Sequence, residues 1–202
     1  MVFGDYSGTL MCSQMPRKYE LRRRAERVAE TRRRIVAAAV DLHTTLGPAR
    51  TTVSAVAERA GVQRHTVYAH FPHERDLFRA CSAHWAERHP FPDPARWLVV
   101  EDPLARLRRA LGDVYAWYAE VEDDLALFAR DAHALPPEVA ERTEAEQREL
   151  ADLLARRLPR RKAVRAAVGH ALAFETWRSL VRTEGLSRAQ AIELMVRLVE
   201  DA

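Results

Sequence analysis

The sequence predicts an all-helical protein of about nine helices, and three observations carry that prediction. Apolar residues recur at three- and four-residue spacing along most of the chain. β-Branched runs are almost absent, and only seven glycines occur in 202 residues. Proline and glycine then punctuate the periodic stretches at helix-length intervals. The length suits one domain of ordinary size or a small module joined to a larger one. A chain that is 48% hydrophobic and 30% charged is globular rather than disordered. No apolar run approaches the ~18 residues of a membrane span. The opening MVFGDYSGTLMCSQMPRK puts its charges after its apolar residues, which is not the order of a secretory signal. Cys12 and Cys81 are too few and too scattered for a disulfide framework or a zinc module, so a cytoplasmic chain is expected.

The elements follow in order. Residues 1–26 read as a flexible basic arm. From Arg27, the positions Val28, Ile35, Ala38, Ala39, Leu42 and Leu46 form one helical stripe, ended by Gly47-Pro48. Thr51 or Thr52 caps a short second helix with Val53, Val56, Ala57 and Ala60 inside, and Gly61 stops it. A third helix spans Gln63 to Phe71 and is closed by Pro72. Leu77, Phe78, Cys81 and Trp85 mark a fourth, followed by the proline-rich FPDPARW. Asp102-Pro103 opens a helix striped by Leu104, Leu107, Leu111, Val114, Tyr115 and Tyr118. Leu125–Ala134 and Glu138–Leu158 follow. Val164–Val181 reads as a single apolar helix ending at Gly185, and Ser187 caps the last helix, with Ile192, Leu194, Met195, Leu198 and Val199.

The net charge of +3 hides an asymmetry: residues 17–34 hold nine basic and three acidic side chains, a local +6, which leaves −3 for the rest. A basic end on a mildly acidic body points to a polyanion partner at that end, although a charge run by itself is as readily a solvated face. The segment TTVSAVAERAGVQRHTVYAHF, residues 51–71, decides the context. Two short helices crossing steeply need a small residue where their backbones approach, and Ala57 supplies it. Four residues on, Gly61 supplies the positive φ of a sharp connection. Six further on, Val67 offers an aliphatic side chain to bury against the first helix. That spacing is the helix-turn-helix pattern, whose second helix enters the major groove of DNA.

Extended to AERAGVQRHTVYAHFPHERDLF and the preceding TRRRIVAAAVDLHTTLG, this stretch resembles the TetR/AcrR family of bacterial regulators over roughly residues 27–80. The resemblance implies a DNA-binding head at 27–73 and a helical body at 74–202 that binds a small-molecule effector and pairs into a homodimer. On that basis Gln63, Arg64, His65 and Thr66 occupy the turn that reads base edges, with Arg64 suited to guanine and Gln63 to adenine. Tyr68 and His70 match the family's Tyr-x-His-Phe signature and Thr52 opens the second helix, all three facing phosphate. Relatives carry a lysine shortly after Phe-Pro. Here the order is Glu74-Arg75, so either Arg75 substitutes or that anchor is missing. Arg22, Arg23 and Arg24 could reach the DNA backbone or an adjacent minor groove as arms do.

Within the body, Trp85, Tyr115, Trp117, Tyr118 and Phe128, with His133 and His170, are the candidate lining of an effector pocket. Phe174, Trp177, Leu180, Val181, Leu194, Met195 and Leu198 are the candidate dimer faces. Core packing is an equally ready use for each of these aromatic and apolar residues.

Enzymatic function is not expected, since GxSxG, GxGxxG and HExxH patterns are absent. Neither cysteine joins the histidine pairs at ligand spacing, so no metal or cofactor is expected. The expectation is a cytoplasmic, nucleoid-associated repressor binding a palindromic double-stranded operator as a dimer and released by an effector. The alternatives are an activator or a metal-responsive member of the same family.

Overall fold

The computed structural model describes residues 14–202, with side chains from Tyr19 onward; Cys12 and the first half of the expected arm lie outside that range. No strand occurs among the described residues. Eleven α-helices do, two more than the sequence suggests: a four-residue α5 lies inside the proline-rich connection, and one expected helix is split.

Helix α1 runs Gln14–Thr45, so residues 14–26 are its first turns and not part of a flexible arm. The physical reason is local. Arginine, glutamate, alanine and leucine are strong helix formers, and Arg22 Nε donates to Glu26 Oε1 at 3.0 Å across one turn. Next come α2 (Val53–Ala60), α3 (Arg64–His70) and α4 (Glu74–Arg88). Ile35, Ala39 and Leu42 of α1 pack with Val56, Val67 and Phe71 into one core. Leu77 and Cys81 of α4 belong to it as well, beyond the head boundary expected at residue 74. Burial pushes the Cys81 thiol up to about 12, so it behaves as a small apolar side chain.

The body comprises α5 (Ala95–Leu98), α6 (Pro103–Glu120), α7 (Glu122–Arg130), α8 (Pro137–Leu154), α9 (Lys162–Leu172), α10 (Phe174–Arg178) and α11 (Arg188–Glu200). Its separate core is built on Trp97, Leu107, Leu111, Tyr115, Val168 and Trp177. The starts are capped as the sequence predicts. Asp102 Oδ1 accepts from the Ala105 N–H at 2.6 Å. Ser187 and Gln190 form a reciprocal capping box.

The expected helix 164–181 is broken at Ala173, which is extended at φ −71° and ψ 136°. Two buried tyrosines of α6 hold the break: Tyr115 Oη donates to Ala171 O at 2.8 Å and Tyr118 Oη to Leu172 O at 2.6 Å. These bonds satisfy carbonyls that a continuous helix would have used. Beyond Arg178, α10 continues as a π-helical turn over Ser179–Thr183. None of the described helices is long and apolar enough to cross a membrane.

Candidate nucleic-acid interface

The interface is built from α2, the turn after it, and α3. Thr52 caps α2, its Oγ1 accepting the Ala55 N–H at 3.1 Å. Gly61 sits at φ 63° and ψ 41°, left-handed, and the Val62 N–H reaches back to Ala57 O at 2.9 Å. The turn is pinned from α1, where the Arg34 guanidinium donates to the carbonyls of Ala60 and Gly61. Val67 then drives α3 onto α2 and is 1% exposed. At the far end, Arg32 Nη1 donates to His70 O at 3.0 Å and its guanidinium lies 4.1 Å from the centre of the Phe71 ring. Arg34 therefore fixes the turn that leads into α3, and Arg32 fixes the far end of α3. Sequence reasoning placed them only in a basic run; their positions beside Ile35 and Val36, at the edge of the buried stripe, were the available signal.

With α3 so held, Gln63, Arg64, His65 and Tyr68 are exposed together on its outer face, while Thr66 and His70 are half-buried. Arg64 Nη2 donates to Tyr68 Oη at 3.1 Å, one turn on. That bond holds the guanidinium along the outer face of the helix instead of leaving it free. Thr52 is exposed, with its hydroxyl on the α2 cap. Arg22, Arg23 and Arg24 are exposed on α1, where Arg23 lies 5.7 Å from the centre of the Tyr19 ring. Arg75, the alternative to the usual lysine, instead donates to Glu138 Oε1 of α8 at 3.4 Å.

A second feature joins head to body. Arg130 Nη2 donates to Leu46 O at 2.9 Å, and Asp131, 3% exposed, accepts the Ala49 N–H at 3.1 Å. The Arg130 guanidinium bonded to Asp131 outweighs the effect of burial and, with the Ala49 N–H, holds this carboxyl down at about 2. Gly47, at φ 90°, is where the two pieces meet; a Cβ there would collide with Asp131 Oδ2 and Arg130 Nη2.

The candidate pocket aromatics form a chain of neighbours, but not as an open lining. Trp85 meets Phe128 and Trp117 edge-on, and Trp117 adjoins Tyr118, which stacks with Tyr115. Tyr115 and Tyr118 are core residues with their hydroxyls already engaged. His133 and His170 are exposed and stand apart from this chain, with His170 Nδ1 3.2 Å from Thr176 Oγ1. Of the candidate dimer residues, Trp177 and Met195 are buried within the chain's own core, which removes them from any surface. Phe174, Leu180 and Val181 are half-buried, whereas Leu194 and Leu198 stand 46% and 42% exposed, one turn apart on α11.

Residues 35–81 match the family model described as "Bacterial regulatory proteins, tetR family". Over these residues the chain is similar to that family. The match coincides with the core that joins α1 to α4. Over 96 residues the chain is 36% identical to the HTH-type transcriptional regulator TtgR of Pseudomonas putida and, equally, to the probable HTH-type transcriptional regulator ArpR of the same species. Each match takes in 47% of this chain and 46% of the relative, so the TetR-like similarity spans about half the length of these curated proteins.

Solved structures extend the likeness in fold to the body. A tetR-family transcriptional regulator from Streptomyces coelicolor superposes with a TM-score of 0.54 at 22% identity, over 86% of this chain and 78% of that one. Thermus thermophilus FadR, described as a TetR-family transcriptional repressor in complex with lauroyl-CoA, gives 0.55 at 22% identity, over 84% and 93%.

Proposed function

We propose that the protein is a sequence-specific DNA-binding transcriptional regulator that docks α3 in the major groove. The observation that carries this reading is the exposed face Gln63–Arg64–His65–Tyr68 on a helix that buries Val67, is tied at its end by Arg32 and follows a turn held by Arg34. A helix that served only packing has no need of Arg64 and Tyr68 side by side on its outer face. Arg64 is the base reader, placed for the bidentate contact that guanine offers, and Gln63 suits adenine. Thr52, Tyr68 and His70 meet phosphates and set the register. Arg22–Arg24 sit on helix α1 and point to different sides of it, so their share is non-specific attraction to the DNA backbone and not an arm threading a groove.

One head makes few base contacts, so two heads bind a palindromic operator with α3 helices about 34–36 Å apart. Leu194 and Leu198 support pairing through α11, with Phe174, Leu180 and Val181 beside them. The reading as a repressor released by an effector follows the family and the repressor FadR. It is supported here by two head–body links through which a body movement reaches the head, Arg75–Glu138 and the Arg130–Asp131 grip on residues 46–49. Fluorescence anisotropy with a duplex from the gene's own upstream region tests the reading. Binding at least about tenfold tighter than to a scrambled duplex is expected. Equal affinity for both duplexes refutes it.

A further inference from the structure

The loop between α8 and α9 carries a second concentration of positive charge. Arg156, Arg157, Arg160, Arg161, Lys162 and Arg165 fall within ten residues and line a cavity of about 560 Å³. Asp152 also lines the cavity, and its carboxylate is paired with Arg165. The other five are exposed, and among the described residues none has a carboxylate in ion-pair range. Like charges held together in this way repel one another, and a bound anion relieves that repulsion.

Two independent features add to the positive potential. Arg106 is 4% exposed, and among the described residues its guanidinium bonds only neutral carbonyls, those of Val100, Glu101 and Arg156. Carbonyl dipoles solvate this cation without neutralising it, so it adds to the positive potential behind the cavity wall that Arg156 forms. The cavity also lies at the start of α9, where Arg161 occupies the cap position and no side chain accepts the first-turn N–H groups.

This site is not part of the DNA-binding face. Helix α8 is 18 residues long, roughly 27 Å. Its first turn holds Glu138 against Arg75 at the head, and its last turn leads into the cavity. The basic loop therefore lies at the pole of the body away from α3.

We propose that this cavity is a ligand site for a small anion bearing two or more linked phosphates. Five free cations exceed what one phosphate satisfies, and guanidinium forks pair with phosphate oxygens two at a time. A volume of about 560 Å³ admits a diphosphate with an organic group attached. This inference does not rest on the DNA-binding reading, and the two fail separately.

Isothermal titration of the full chain with inorganic pyrophosphate, orthophosphate and ADP, at constant ionic strength, tests it. Pyrophosphate and ADP are expected to bind one per chain, about tenfold or more tighter than orthophosphate. The double variant Arg161→Gln/Lys162→Gln should weaken pyrophosphate by a similar factor, and Arg64→Ala should leave it unchanged. If the first variant does not fold, Arg157→Gln/Arg160→Gln gives the same readout from exposed side chains. The proposal is overturned by three results: no saturable heat up to millimolar pyrophosphate, equal affinity in wild type and variant, or displacement of pyrophosphate by a short DNA duplex. The last would make the loop a nucleic-acid surface.

Discussion

Lowering the pH from 7 to 5 should destabilise the head through a single histidine. His43 lies on α1 with 7% of its surface exposed, its ring stacked on Phe78 of α4 at 4.9 Å between centroids. Burial pushes its pKa from the ordinary 6.5 down to about 4, so the folded head keeps it neutral where the unfolded chain would protonate it. The folded value is the lower one. The contribution is therefore fully present above about pH 6.5 and is lost as pH falls from there towards 4. The whole shift corresponds to about 3 kcal/mol, of which about 2 kcal/mol is gone at pH 5 and almost none at pH 7. Asp131, Glu138 and Glu193 are also held below the usual carboxylate range, and their contributions fade at lower pH. They titrate alike in wild type and variant and cancel in a difference. Urea unfolding by circular dichroism at pH 7 and pH 5, for wild type and His43→Gln, reads that difference. The wild type should lose about 2 kcal/mol more than the variant, roughly a 1 M shift in midpoint. An equal loss in both proteins would mean that His43 is not the buried neutral group described, whatever the variant's absolute stability.

Other perturbations follow from the same structure. Gly61→Ala places a Cβ 2.9 Å from Arg34 Nη2 and forces alanine into the left-handed region. It should cost about 1–2 kcal/mol in urea unfolding and weaken DNA binding, with Gly61→Asn milder on both counts. Tyr118→Phe orphans the Leu172 carbonyl at the α9–α10 break and should cost about 1–3 kcal/mol, read as a lower thermal midpoint. Asp131→Ala releases the Ala49 N–H, so amide exchange at residues 46–51 should quicken while exchange in the α6 core stays unchanged.

The head was legible in the sequence because its determinants are local. Ala57, Gly61 and Val67 sit within eleven residues, and each answers a steric need of one turn. The body was legible only as helices. The break at Ala173 arises from hydroxyls of Tyr115 and Tyr118, more than fifty residues away, and nothing within residues 164–181 announces it. Trp177 and Met195 looked like surface anchors because an apolar face on a terminal helix reads the same whether its partner is its own chain or a second copy. The start of α1 was hidden by composition: a run of arginines suggests a solvated arm, while the interleaved Glu26 and Glu30 pair along a helix. Arg32 and Arg34 illustrate the same limit, since charge counting cannot separate a cation that reaches DNA from one that holds a turn.

The most direct measurement replaces one side chain and one base pair together. Once the bound duplex sequence is known, affinities of wild type, Arg64→Ala and Arg23→Ala are compared on the native operator and on one with a single guanine exchanged, across a salt series. Losing Arg64 should erase about 1–3 kcal/mol of discrimination at that base pair, and losing Arg23 should weaken both duplexes alike with a shallower salt slope. Discrimination that survives intact without Arg64 at every guanine of the site would contradict the assignment of α3 as the helix that reads DNA.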